Sequence, residues 1–166
     1  MTEEGLRMLK TFEGFRTKAY RCAAGVWTIG YGNTTYEDGS KVKEGDTITT
    51  EEAEKLLLLK VEEFEGAIKI ALKDNKTVLP PVCISALTLL AYNIGITAFF
   101  KSTLYKVIRK DANDLKEIEH QWLRWNKAGG RVLAGLSKRR EQEYDMYRRG
   151  ILSRYTDYEK KQKFGI

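Results

Sequence analysis

The chain has 166 residues, 42% hydrophobic and 31% charged, and its 29 Lys and Arg against 23 Asp and Glu give a net charge of +6. A chain of that length suits one domain, and this composition excludes disordered and membrane-embedded classes. The positive charge predicts attraction to polyanions, but charge alone does not choose among nucleic acid, anionic lipid and bacterial wall.

Two cysteines, Cys22 and Cys83, are too few for a disulfide framework and read as thiols. The N-terminus enters a polar helical pattern without the charged and then apolar regions of a signal peptide, and no apolar run of about 18 residues follows. A visible leader is therefore not expected.

In chain order, Leu6, Met8, Leu9 and Phe12 recur at helical spacing behind a capping Thr2, which predicts a helix over residues 2–13 ended by Glu13-Gly14. Residues 15–48 carry strand and turn vocabulary, with Gly25, Gly30 and Gly32 among Tyr20, Val26, Trp27, Thr28, Ile29 and Tyr31, and predict a small antiparallel sheet. Thr49 and Glu52 match a capping box, and Ala53, Leu56, Leu57, Lys60, Val61, Phe64, Ala67 and Ile68 continue as a long helix to about Leu72. Pro80-Pro81 opens a nearly apolar helix that exits at Asn93-Ile94-Gly95. Shorter helices are expected near 97–100, 102–109 and 114–126, with a last one over 136–150 after the Gly129-Gly130 break.

Chemistry concentrates in Glu13-Gly-Phe-Arg16, Ala19-Tyr20 and Gly25-Val-Trp-Thr-Ile-Gly-Tyr-Gly-Asn33-Thr34, where a carboxyl ends a helix and a Gly-rich, Thr-bearing hairpin follows at once. The segment lacks the Lys-Ser/Thr of a phosphate loop and the following helix of a dinucleotide site. Ser102, Thr103 and Ser137 have no His and Asp beside them to support serine hydrolase chemistry. The single His120 has neither a second His nor paired Cys, so neither a metal nor a cofactor is expected. Trp122 and Trp125 read as core aromatics.

These residues resemble the phage-type lysozymes, the endolysins of glycoside hydrolase family 24. Three later blocks extend the resemblance through most of the chain: Ala86-Leu87 through Ala91-Tyr92-Asn93-Ile94-Gly95, then Phe99-Phe100-Lys101-Ser102-Thr103-Leu104, then Trp125-Asn126-Lys127-Ala128-Gly129-Gly130 with Gly135-Leu136 and Arg139-Arg140-Glu141. It implies an α+β, mostly helical, lysozyme-like fold over residues 1–166. The implied parts are a β-containing lobe near 13–50 and a helical lobe of 74–166 plus 1–12, joined by the helix 50–73, with glycan bound in the cleft between lobes.

The resemblance also implies hydrolysis of the β-1,4 bond between N-acetylmuramic acid and N-acetylglucosamine in bacterial peptidoglycan. The family uses a Glu, an Asp nine residues later and a Thr six beyond that; here the positions hold Glu13, Cys22 and Thr28. Glu13 would protonate the leaving sugar oxygen, a role that suits a carboxyl held in a cleft. Thr28 would orient the attacking water. Cys22 departs from the pattern: an adjacent Arg21 favours its thiolate, which would supply negative charge or a nucleophile, whereas a neutral thiol would leave a weakened wall-binding relative. Lytic transglycosylation of the same bond is the other alternative, since it needs no water-activating carboxylate.

Trp27, Tyr31, Asn33, Phe99 and Ser102 are the implied glycan-binding residues, Asn33 standing where the family usually has His. Arg139 or Arg140 matches an arginine that orients the catalytic Glu. The expected partner is peptidoglycan rather than nucleic acid, with no stable membrane insertion, for a monomer made in the bacterial host cytoplasm and reaching the wall through a pore made by another protein.

Overall fold

The computed structural model describes residues 1–166. In chain order the elements are α1 (Glu3–Glu13), β1 (Arg16–Arg21), β2 (Trp27–Gly30), α2 (Thr50–Asp74), α3 (Pro81–Ile94), α4 (Ile96–Lys101), α5 (Thr103–Lys110), α6 (Leu115–Leu123), β3 (Lys127–Ala128), β4 (Arg131–Val132), α7 (Ala134–Leu152) and α8 (Asp157–Phe164). The architecture is mostly helical with small antiparallel sheets, the class expected from the sequence. No helix is long and apolar enough to cross a membrane. The chain groups into two compact units, Leu6–Glu63 in one and Met1–Gly5 with Phe64–Ile166 in the other, so the division falls inside α1 and α2.

In the unit Leu6–Glu63, β1 and β2 pair antiparallel with Tyr20 opposite Thr28 and Arg21 opposite Trp27. The expected sheet reduces to this hairpin; the segment beyond it is held by isolated bridges, Lys18 with Thr47 and Thr35 with Lys41. The capping box forms as predicted: the Glu52 N–H donates to Thr49 Oγ1 at 3.2 Å, and the Thr49 N–H donates to Glu52 Oε2 at 3.0 Å. Those bonds satisfy two of the N–H groups a helix start leaves open. From there Ala53, Leu57 and Val61 of α2 are buried, as are Ile29, Val42 and Ile48 from the hairpin and its following loop. An ion pair between Lys10 and Glu54 ties α1 to α2 within this unit.

The other unit is built on α3, in which Cys83 and the run from Ser85 to Tyr92 are all buried. A helix apolar all round belongs inside a core, and α3 packs on α7, with α4 and α6 also contributing. Its buried hydroxyls are satisfied: Thr88 Oγ1 donates to the Ile84 carbonyl at 2.8 Å, and Ser85 Oγ accepts the Thr2 N–H at 2.8 Å. At the crossing with α7, a methyl at Gly150 would come within 2.5 Å of Cys83 Sγ and Val82 Cγ1, so only glycine admits this approach.

Trp122 is fully buried as expected, its ring 5.5 Å from that of Tyr147 and 6.3 Å from that of Tyr144. Trp125 corrects the expectation of a core residue: α6 stops at Leu123, and Trp125 is half-buried on a recess of about 240 Å³ lined also by Thr103, Gln121 and Arg124. The Gly129-Gly130 break is the turn of a hairpin, β3 against β4, and both glycines have positive φ (57° and 76°), as a two-residue turn of this hand requires. The helix α8 was not anticipated; Thr156 and Glu159 cap its start reciprocally, and none of its residues is buried.

The basic run of α7 is the larger surprise. Arg139 and Arg140 are both buried, and both reach Glu143, Arg139 through Nε at 3.0 Å and Arg140 through Nη2 at 2.7 Å. The Trp122 indole N–H donates to the second Glu143 oxygen at 3.1 Å, and Arg139 Nη2 donates to the Leu89 carbonyl. Removing one member of such a cluster leaves charge buried without compensation. Glu143→Ala is expected to lower unfolding stability by about 3–5 kcal/mol, measured by urea denaturation; a change under about 1 kcal/mol, the scale of exposed pairs, would show the cluster to be inert.

Candidate active site

Glu13 is the last residue of α1, and Gly14 at φ 66° turns the chain out of the helix while its N–H bonds the Lys10 carbonyl at 3.0 Å. A carboxylate at a helix C-terminus sits at the negative end of the helix dipole, where cations are the stabilising choice. The position is therefore not one that helix stability selects.

The residues after β2 fold back toward it. Ile29 and Asn33 exchange both backbone hydrogen bonds, at 2.8 and 2.9 Å, closing a tight turn over Gly30, Tyr31 and Gly32. Gly30 and Gly32 have φ of 63° and 80°, which side chains strongly disfavour. The bare Gly30 lets Ala53 of α2 approach, its Cβ 3.2 Å from where a methyl would lie. At Gly32 the corresponding neighbour is Glu13 Oε2, at 3.1 Å. The half-buried Glu13 carboxyl thus rests on the glycine turn.

Cys22 and Thr28 sit at the other end of the hairpin. A turn over residues 22–26, closed by hydrogen bonds between Cys22 and Val26 and between Gly25 and Cys22, places the half-buried Cys22 just past β1. Its thiol is pulled below the ordinary cysteine range, chiefly by backbone hydrogen bonds from Val26 and Ala24. Thr28 is 3% exposed and donates its hydroxyl hydrogen to the Val26 carbonyl at 3.0 Å. That donation leaves the oxygen lone pairs to accept from a third group.

Other expected site residues take different roles. Trp27 is consecutive with Thr28 in β2, so the two side chains leave opposite faces of the strand; the indole is stacked under the Arg21 guanidinium at 5.1 Å. Tyr31 is buried against Phe15, ring centroids 5.1 Å apart, with Lys10 over its ring. Asn33 is also buried, its backbone closing the turn and its Oδ1 without a hydrogen-bond partner.

Phe99 has no exposed surface, being enclosed by Phe100 and Tyr105, and Ser102 is the N-cap of α5, donating to the Phe99 carbonyl at 2.6 Å and accepting from the Tyr105 N–H at 3.0 Å. Burial and capping give both residues structural roles in this unit. Arg139 and Arg140 bind Glu143, as described above.

Lys60 was missed as a site residue. Burial in α2 pushes its ammonium below the ordinary lysine range, opposed by the negative charge of Glu13 and Glu63. The signal was present in the sequence: a lysine occupying an apolar phase of a long amphipathic helix.

The two thiols differ sharply. Burial pushes Cys83 up to about 12, whereas Cys22 is lowered and accessible. Because a lowered thiol ionises at lower pH and the thiolate is the nucleophile, iodoacetamide should add once, at Cys22, with a half-maximal rate below the pH of about 8.5 typical of a free thiol. Mass spectrometry of peptides labelled across pH 6–10 checks this; comparable labelling of Cys83, or a Cys22 midpoint at or above that of a peptide thiol, contradicts it.

Comparison with known proteins places this geometry in a family. The phage lysozyme family model matches residues 10–143. The endolysin of Bacillus phage B103 is 38% identical over 152 residues, covering 90% of this chain and 54% of that protein, so the chain spans about half the length of that relative. Among solved structures, the endolysin of Escherichia coli O157:H7 phage FAHEc1 superposes with a TM-score of 0.77 at 37% identity, covering 88% of this chain and 91% of that one. The muramidase domain of SpmX from Asticaccaulis excentricus gives 0.72 at 28% identity, covering 88% and 95%. With the family model covering most of its length and the Bacillus phage B103 relative 38% identical over 90% of it, the chain is a member of the phage lysozyme family.

Proposed function

We propose that this chain is an endolysin-type muramidase that hydrolyses the β-1,4 bond between N-acetylmuramic acid and N-acetylglucosamine of bacterial peptidoglycan. The observation that carries the reading is Glu13, a half-buried carboxyl at a helix end, seated against Gly32 on the hairpin that also holds Cys22 and Thr28. Similarity to proteins named endolysin and muramidase supports the reaction class, and the net charge of +6 suits a protein working beside an anionic wall.

In the proposed reaction Glu13 delivers its proton to the glycosidic oxygen as the bond from the anomeric carbon breaks. Positive charge developing on the sugar ring is balanced by the Cys22 thiolate, which the Val26 and Ala24 backbone hydrogen bonds favour. Thr28, having given its hydrogen to the Val26 carbonyl, accepts a hydrogen bond from a water molecule. That water adds to the anomeric carbon and yields its proton to the thiolate. No cofactor enters this scheme.

Glu13→Gln should reduce lysis of purified peptidoglycan at least about 100-fold, the lower end of what general acid catalysis contributes, with the fold retained by circular dichroism. Undiminished turbidity loss by that variant would remove the central assignment. For the wild type, mass analysis should show reducing muramic ends; anhydro-muramic products would instead establish transglycosylation. Cys22→Asp should retain lysis and Cys22→Ala should lose most of it, whereas full activity of Cys22→Ala would take the thiol out of the reaction.

A further inference from the structure

The bare Cα of Gly32 occupies a position that the backbone turn alone does not explain. Its φ of 80° demands glycine for conformational reasons, but the same is true of Gly39 (φ 83°) and Gly45 (φ 84°), and around those two a methyl would meet nothing within 4 Å. At Gly32 a methyl would meet one atom, Glu13 Oε2, at 3.1 Å, tighter than ordinary van der Waals contact. On the near side of the same turn Gly30 is fixed against Ala53 of α2, and the reciprocal Ile29–Asn33 hydrogen bonds prevent the loop from opening. The turn is therefore held from behind and touches the carboxylate in front.

We propose that Gly32 is a positioning residue for Glu13: its missing side chain is the seat of the carboxylate, and the turn, pressed forward by α2, fixes where the acid's oxygen stands. The proposal rests on Glu13 acting as the acid, and it deepens that reading by naming what holds the acid in place. The Glu13 side chain has three rotatable bonds, and where its carboxyl stands depends on the surfaces that bound them. A methyl at Gly32 displaces the oxygen instead of removing it. Displacement of a catalytic group by about 1 Å costs on the order of 100-fold in rate, and a loss of this kind falls on kcat, since binding groups elsewhere are unchanged.

Two measurements test the seat. In steady-state lysis assays Gly32→Ala should lower kcat by about 10- to 100-fold with KM within about twofold. Gly39→Ala, which carries the same backbone strain in open space, should leave both constants within twofold. Equal losses in the two variants, or a Gly32→Ala effect confined to KM, would overturn the proposal.

The second measurement needs no activity. Melting temperatures are compared for wild type, Gly32→Ala, Glu13→Ala and the double variant. If the methyl collides with the carboxylate, Gly32→Ala lowers the melting temperature less in the Glu13→Ala background than in the wild type, a coupling between touching residues. An identical decrease in both backgrounds means that only the backbone requires glycine, and the seat does not exist. Should Gly32→Ala alone fail to fold, a folded double variant still supports the seat and an unfolded one refutes it. An active Glu13→Gln would end the acid assignment without altering this thermal cycle, so the two failures are distinguishable.

Discussion

The reciprocal backbone pair between Ile29 and Asn33 is the constraint on which the site depends. Two hydrogen bonds force three residues into a loop so tight that Gly30 and Gly32 both take positive φ. Because neither carries a side chain, the loop reaches α2 on one side and Glu13 on the other. A carboxylate at the wrong end of a helix dipole, which helix energetics disfavour, is thereby given a fixed surface. Conflict between local preference and observed structure is a mark of function when the surrounding framework holds it in place.

In the unit Met1–Gly5 with Phe64–Ile166 a different physics dominates. Glu143 gathers two guanidinium groups and an indole N–H inside a helical core, where each alone would be costly to bury. Arg139 and Arg140 also reach the Leu89 and Trp125 carbonyls. The cluster thus joins α7 to α3 and to the segment after α6 by polar contacts of fixed geometry, in addition to the apolar packing around Trp122.

Much of this was legible from residue order. The Thr49–Glu52 box, the Pro80-Pro81 entry and the Gly95 exit are local signals, and the structure uses them locally. Glu13, Cys22 and Thr28 were singled out by a spacing that the hairpin turns into shared placement in one unit. Less visible were features decided by distant contacts. Arg139 and Arg140 match an arginine that orients the catalytic Glu, and nothing in the order of residues announces that Glu143 will be buried with them. Phe99 and Ser102 lie in a motif that reads as ligand-facing, yet one fills a core and the other caps a helix. The helix α8 has no buried residue and hence no apolar rhythm to detect. Strand alternation alone separates Trp27 from Thr28, placing their side chains on opposite faces of β2.

The contact between Gly150 and Cys83 carries an implication for how such a chain can change over generations. With the Sγ and Val82 Cγ1 standing where any side chain at position 150 would begin, the two helices share one allotment of volume across two distant positions. A larger residue on α7 becomes admissible only after α3 has given up atoms. Cys83 therefore acts by its size as well as through the hydrogen bond its thiol donates to the Tyr147 carbonyl at 3.3 Å, and the close approach of α3 and α7 is a property that positions 83 and 150 hold jointly.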